Sequence, residues 1–193
     1  MVEKGVSPIM TPDGTRIIYT TLSSREDNEI MQMALDGSRR QEALVKTSAN
    51  ELYAEISPKG RWLAYQSNIS GGEEVWVRPY PNTESGRWQV STNGGQWPIW
   101  SRNGRELFYM ALDGALMGVQ VKDTGSTWTA TSPTKILEPG YWSSGVLIGR
   151  QYDVSPDGKR FLVVTPPKDP GDPPELIVMQ RWDEELKAKV PSK

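Results

Sequence analysis

The sequence has no cysteine and no histidine among its 193 residues. Without cysteine there can be no disulfide, no thiol nucleophile and no thiolate metal site. Without histidine there can be no Ser-His-Asp triad, no imidazole general base and no histidine-rich zinc site. Any catalysis would therefore depend on carboxylates, lysine, tyrosine, serine or a hard cation bound by oxygen ligands.

Three further features are missing. No apolar run is long enough to predict a membrane span. Residues 1–5 lack the basic and apolar regions of a secretory signal, which favours the cytoplasm; a periplasmic location stays open if a signal has been removed. The formal net charge of −2 gives no electrostatic reason to expect nucleic acid as a partner.

A four-residue turn pattern occurs four times along the chain. The four copies are Thr11-Pro12-Asp13-Gly14, Ser57-Pro58-Lys59-Gly60, Ser101-Arg102-Asn103-Gly104 and Ser155-Pro156-Asp157-Gly158. Their glycines lie 44 to 54 residues apart. A repeat of about this length is typical of solenoids and propellers.

Short segments rich in β-branched and aromatic residues surround each turn. In the second unit they are residues 53–56, 61–65, 74–78 and 87–90, bounded by Gly, Pro, Asn and Asp. Four short strands in each repeated unit predict an all-β fold, a β-propeller with four-stranded antiparallel blades. The predicted repeats within a single domain, residues 1–193, are about 6–47, 48–93, 94–140 and 150–182.

Two irregularities interrupt the repeat. Residues 183–190 predict a short C-terminal amphipathic helix, with Asp183 as N-cap and an apolar stripe that includes Leu186. The fourth unit would then lack its outermost strand. The longer third interval predicts an insertion on one rim, at residues 137–145.

The repeat sequences resemble the WD-like propeller repeats of the TolB family. The resemblance rests on Ser-Pro-Asp-Gly-Lys-Arg-Phe-Leu at residues 155–162 and on the Ile-x-x-Met-x-Leu-Asp-Gly pattern at residues 30–37. Residues 86–101 and 175–182 also resemble repeats at the C-terminal ends of bacterial Ser/Thr kinases with such propellers. The resemblance implies a β-propeller fold over nearly the whole chain. It implies no kinase activity, because the kinase motifs are absent.

The resemblance implies six to eight units, whereas the sequence contains four. The chain could close as a small propeller, form part of a larger one, or combine with a second chain in a homodimer that completes the propeller or its open edge.

Alignment on the turn gives each inner strand a register. The residues just before the turn are apolar and predict packing between blades: Met10, Ile56, Trp100 and Val154. The residues one position earlier point to the opposite face: Ile9, Glu55, Ile99 and Asp153. Glu55 and Asp153 could meet near the axis and bind Ca²⁺ or act as an acid/base pair. Alternatively, each could cap a backbone N–H or face water.

Other conspicuous residues have simpler interpretations. Four aspartates in Asp-Gly turns predict local turn hydrogen bonds: Asp13, Asp36, Asp113 and Asp157. Four tryptophans at regular strand positions predict core packing between blades: Trp62, Trp76, Trp88 and Trp100. Trp142, beside Tyr141 in the insertion, is a candidate ligand contact on the rim.

Three functions fit these observations. The first is a TolB-like binding or scaffold module that uses its rim loops or channel mouth to bind a protein or small ligand. The second is a calcium-dependent hydrolase of lactones or esters, similar to propeller lactonases, with Glu55 and Asp153 as metal ligands. The third is a glycan-processing propeller with two catalytic carboxylates.

Overall fold

A computed structural model describes residues 5–22, 27–125, 127–140, 149–165 and 175–180. In these residues the chain forms four antiparallel sheets that follow one another in sequence order. The first two sheets have four strands each, and neighbouring strands in sequence are neighbours in the sheet. Blade 1 contains β1 (Gly5–Met10), β2 (Arg16–Thr21), β3 (Ile30–Ala34) and β4 (Gln41–Val45). Blade 2 contains β5 (Glu51–Ile56), β6 (Trp62–Ser67), β7 (Glu74–Pro79) and β8 (Trp88–Gln89).

The third and fourth sheets vary the same plan. Blade 3 contains β9 (Gln96–Trp100), β10 (Glu106–Met110), β11 (Leu116–Asp123), β12 (Trp128–Ala130) and β13 (Thr134–Leu137). Both β12 and β13 pair with β11, so the outer position is divided between two short strands. In its described part, blade 4 contains β14 (Tyr152–Val154), β15 (Arg160–Thr165) and β16 (Glu175–Gln180). The fold is therefore a β-propeller of antiparallel blades, as predicted. The C-terminal helix predicted at residues 183–190 lies outside the described residues.

Each turn pattern joins the two innermost strands of its blade. The turn glycines adopt nearly identical left-handed conformations, with φ of 70°, 67°, 71° and 70° at Gly14, Gly60, Gly104 and Gly158. Glycine is the residue that adopts this conformation without steric cost. In each turn the glycine N–H donates to the carbonyl of the first turn residue at 2.8–2.9 Å. The repeated sequence thus produces a repeated local structure.

The turn aspartates also behave as predicted. One carboxylate oxygen of each accepts the backbone N–H two residues later, as Asp13 does from Thr15 at 3.0 Å and Asp157 does from Lys159 at 3.0 Å. The Thr11 hydroxyl is the main cause that lowers the pKa of Asp13 to about 2, with further bonds from Thr15. These carboxylates support turns.

Apolar side chains fill the three interfaces between consecutive blades. Between blades 1 and 2 the cluster is built around Ile18, Ile30, Leu63 and Tyr65. Between blades 2 and 3 it includes Trp62, Val75, Trp100, Leu107 and Tyr109. Between blades 3 and 4 it includes Trp97, Phe108, Tyr152, Phe161 and Val163. Each blade therefore uses one face toward the preceding blade and the other toward the next.

The prediction that four tryptophans pack in the core between blades is confirmed. Trp62, Trp76 and Trp100 are 4%, 8% and 5% exposed. Trp88 is partly buried and packs edge-to-face on Trp62, with ring centroids 5.6 Å apart. No helix in the described part of the chain is long and apolar enough to cross a membrane.

Glu51 provides a test of this buried structure. Its side chain is fully buried at the start of β5, and Oε1 accepts a hydrogen bond from the Thr47 hydroxyl at 2.5 Å. Burial raises the pKa of Glu51, and the hydrogen bonds from Thr47 and Ser67 oppose that rise only in part. Because the pKa of Glu51 is higher in the folded than in the unfolded state, folding favours the protonated carboxyl. The contribution of Glu51 to stability is therefore lost as the pH rises from the unfolded-state pKa of 4.5 through the folded-state pKa.

We expect Glu51→Gln to unfold at a higher temperature than the parent at about pH 8, with a gap that narrows toward about pH 4.5. Thermal melts followed by circular dichroism measure this difference. Glu138→Gln, at an exposed carboxylate, should show no comparable change with pH. If the difference in melting temperature between Glu51→Gln and the parent did not change with pH, burial of the carboxyl could not be its cause.

Candidate binding site at the channel mouth

The inner strands share a backbone irregularity four residues before each of the first three turns. Ser7, Tyr53 and Trp97 have positive φ angles of 50°, 51° and 53°. At each position the pairing with the second strand shifts register, as it does between Leu52 and Glu55. Such bulges bend a strand and redirect its side chains, and they are over-represented next to active sites. A non-glycine residue in this conformation costs on the order of 1 kcal/mol or more.

These three residues line one cavity of about 220 Å³. We call it the channel mouth, because the inner strands of blades 1, 2 and 3 converge there with the segment that leads into blade 4. Its lining residues are Ser7, Pro8, Ile9, Tyr53, Ala54, Glu55, Trp97, Pro98 and Arg150. Tyr53 and Trp97 pack edge-to-face, with ring centroids 6.2 Å apart and an interplanar angle of 70°. The wall is thus partly aromatic.

An ion pair between Glu55 and Arg150 closes one side of the channel mouth. Arg150 Nη1 donates to Glu55 Oε1, and the two side chains are only 27% and 21% exposed. The guanidinium also donates to two backbone carbonyls, those of Tyr152 at 3.1 Å and Pro98 at 3.4 Å. Arg150 therefore links blades 2, 3 and 4 across the cavity.

Burial controls the electrostatics of this pair. It raises the pKa of the Glu55 carboxyl, the Arg150 charge opposes that rise, and the nearby charge of Asp153 adds to it. The Glu55 carboxylate therefore needs Arg150 to remain ionised in the protein interior.

Two further hydrogen bonds hold the backbone around the cavity. Tyr152 is 4% exposed, and its hydroxyl donates to the carbonyl of Trp97, at the bulge of blade 3, at 2.6 Å. The indole N–H of Trp100 donates to the carbonyl of Glu55 at 3.2 Å. The strained inner strands are therefore fixed from the neighbouring blades.

Three buried polar atoms of residues that stand four positions before a turn have no hydrogen-bond partner in the described structure. They are Trp97 Nε1 and both amide atoms of Gln151, which stands four residues before the fourth turn. Buried polar groups are normally paired, and exceptions call for an explanation such as a bound water, a ligand or a functional constraint. At Trp97 an unpaired buried polar atom thus coincides with a strained backbone position.

The predicted metal ligands Glu55 and Asp153 lie within electrostatic range of each other. Asp153 is exposed on β14, where its Oδ1 accepts the backbone N–H of Val154 at 2.8 Å. The described residues contain no group of three or more acidic side chains placed to hold a metal. A cation at Glu55 would also lie against the Arg150 guanidinium, so these residues do not fit a calcium site as they are arranged.

The other predicted site residues, Tyr141 and Trp142, lie outside the described residues and stay a prediction. The sequence reasoning identified Glu55 but missed Arg150, Tyr53 and Trp97. A signal was available for the last two. Counted from the turns, Tyr53 and Trp97 occupy the same position, so an aromatic residue recurs there in two units.

Comparisons with solved structures support the fold. TolB from Acinetobacter baumannii superimposes with a TM-score of 0.63 at 16% identity, over 93% of this chain and 41% of that chain. A Bacteroides uniformis protein provisionally assigned as a 6-phosphogluconolactonase gives 0.56 at 16% identity, over 93% and 56%. The β-propeller domain of Cps50 (Swd1) from Myceliophteria thermophila gives 0.59 at 10% identity, over 87% and 53%.

The chain thus has a TolB-like propeller fold and spans about half the length of these solved structures. Identities this low establish the fold alone. No protein-family model matches the chain, and no curated protein matches its sequence.

The ion pair gives the site its own stability test. We expect Glu55→Gln and Arg150→Met each to lower the free energy of unfolding, because each leaves a partly buried partner without its counter-charge. A double-mutant cycle by urea denaturation should give a coupling energy of about 1–3 kcal/mol, between the values for exposed and fully buried pairs. The pair Lys135 and Glu138, exposed on the surface, is the matched control. Equal coupling energies for the Glu55–Arg150 and Lys135–Glu138 pairs would contradict a partly buried ion pair between Glu55 and Arg150.

Proposed function

We propose that the chain is a TolB-like binding module that accepts a small ligand, or the end of a peptide, in the channel mouth. The observation that carries the proposal is the partly buried Glu55–Arg150 ion pair in a cavity that Tyr53 and Trp97 also line. A guanidinium beside aromatic surface suits a ligand with a carboxylate and a flat apolar part. The incoming carboxylate would share Arg150 with Glu55.

The backbone supports the same proposal. Stability alone would favour relaxed strands and fully paired polar atoms, yet the channel mouth has three positive-φ residues on its wall and an unpaired indole nitrogen at Trp97. Departures from local rules are expected at functional sites. The resemblance to kinase-associated propellers adds a setting in which such a module would serve as the recognition part of a larger protein. Protein binding through the rim loops, including Tyr141 and Trp142, is part of the same proposal.

Benzoate is a suitable probe, because it combines a carboxylate with an aromatic ring. We expect saturation-transfer NMR to detect it on the parent. Tyr53→Leu and Arg150→Lys should each weaken binding about tenfold, through the lost ring contact and the lost planar guanidinium. Tyr80→Leu, a partly buried tyrosine that does not line the cavity, should bind like the parent. Benzamide, which lacks the charge, should bind more weakly than benzoate.

The proposal fails if neither benzoate nor a panel of other aromatic and peptide carboxylates binds the parent. It also fails if Tyr53→Leu and Tyr80→Leu have the same effect on benzoate affinity.

A calcium-dependent hydrolase is the second candidate. The observation in its favour is that Glu55, which lines the channel mouth, lies within electrostatic range of Asp153. In the arrangement described above, Arg150 already supplies the positive charge that a cation would bring. The glycan-processing alternative needs two carboxylates free to react, and Glu55 is committed to Arg150.

We expect millimolar Ca²⁺ to leave the melting temperature of the parent unchanged, because binding would place a second positive charge beside Arg150. Differential scanning fluorimetry with and without EDTA measures this, and Mg²⁺ controls for ionic strength. A calcium-dependent rise in melting temperature that disappears in both Glu55→Gln and Asp153→Asn would favour the metal site instead.

A further inference from the structure

The faces that blades 2, 3 and 4 turn toward the preceding blade are equivalent. Counted from the turns, Leu63, Leu107 and Phe161 occupy one position, and all three are fully buried in the interfaces. Ile17 occupies this position in blade 1, where the described residues include no preceding blade. It pairs across the sheet with Met10 and Met33. We call this surface, formed by Met10, Ile17 and Met33, the leading face.

Blade 4, at the other end of the array, exposes the face that blades 2 and 3 turn toward the next blade. Ala64 and Phe108 lie on the faces that blades 2 and 3 turn toward the next blade, and they are 0% and 1% exposed. Leu162 holds the equivalent position in blade 4 and is 39% exposed. It pairs across the sheet with Val178, which is 52% exposed. We call the surface formed by Leu162 and Val178 the trailing face.

Exposure shows that the two end faces do not cover each other. Met10 is 60% exposed, whereas its equivalents Ile56 and Trp100 are 8% and 5% exposed. The four blades therefore form an open arc in which one leading face and one trailing face are without a neighbouring blade in the described structure.

We propose that the trailing face of one copy of this chain packs on the leading face of a second copy, head to tail. The argument is continuity with the three interfaces inside the chain. Each of those joins a trailing face to a leading face through apolar side chains, and the described residues leave one half of each kind uncovered. A second copy thus supplies the missing half in the register that the repeats already use.

The chemistry of the two faces agrees with this pairing. The leading face is centred on apolar side chains, and two of them, Met10 and Met33, are flexible methionines that adapt to a partner surface. On the trailing face the charged residues Asp153 and Arg160 flank Leu162 along the sheet. An apolar centre with a charged rim is the usual composition of a protein interface.

The symmetry of the pairing makes a specific prediction. Two different surfaces meet, so the contact is heterologous, and repeated addition can produce assemblies longer than a dimer unless the ring closes. Light scattering coupled to size-exclusion chromatography should therefore give a mass above the 21.6 kDa of one chain, increasing with concentration.

Single charges should abolish the association. We expect Met10→Asp and Leu162→Asp each to give a mass of 21.6 kDa at all concentrations, because each removes one half of the contact. Both positions are exposed, and circular dichroism confirms that the variants fold. Leu112→Asp is the matched control, since Leu112 is 60% exposed in a turn of blade 3, away from both faces. Its mass should follow that of the parent.

Mixing the two variants distinguishes head-to-tail pairing from other modes. The Met10→Asp chain keeps its trailing face, and the Leu162→Asp chain keeps its leading face. An equimolar mixture should therefore form a dimer of twice 21.6 kDa and nothing larger. Three results would overturn the proposal: a parent that stays at the mass of one chain, sensitivity to only one of the two substitutions, or a mixture that does not associate.

Discussion

Face-to-face packing of neighbouring blades is the interaction on which the rest of this structure depends. A small sheet of short strands needs a packed apolar face to be stable in water, and each of these blades buries at least one face against a neighbour. Leu63, Leu107 and Phe161 are fully buried at equivalent positions. A slip of one residue in any inner hairpin would move the side chains of one face to the other, so that neither interface would receive the side chains that fill it. The four glycine turns, with nearly equal φ angles, prevent that slip and so fix the register of the whole array.

This dependence explains which features the sequence could predict. Turn chemistry and strand alternation are local, so the positions of the turns, the role of Asp13 and Asp157, and the burial of Trp62 and Trp100 all follow from short stretches of chain. The same counting places Met10 among the packing residues, and its exposure shows where local reasoning ends. Whether a packing position is covered depends on the presence of a neighbouring blade, and no local pattern contains that information.

The candidate site was predictable only in part for a related reason. Glu55 stands out by its register, but its partner Arg150 is 95 residues away and carries no motif. The bulges at Ser7, Tyr53 and Trp97 are also invisible to an alternation count, because a bulge shifts the side chains by one position without changing the composition of the strand. Long-range contacts and bulges arise when blades pack, so they belong to the tertiary level.

The site and the blade packing are physically coupled. Glu55 belongs to blade 2 and Arg150 leads into blade 4, so blade 3 has to be in place between them before the ion pair can form. Tyr152 strengthens this coupling, because its hydroxyl binds the carbonyl at the strained Trp97 position. Strain at the channel mouth is therefore maintained by interfaces that lie outside it. A change that loosens the contact between blades 3 and 4 should disturb the cavity even when every residue in its wall is unchanged, whereas a change in the turns that spares the interfaces should not.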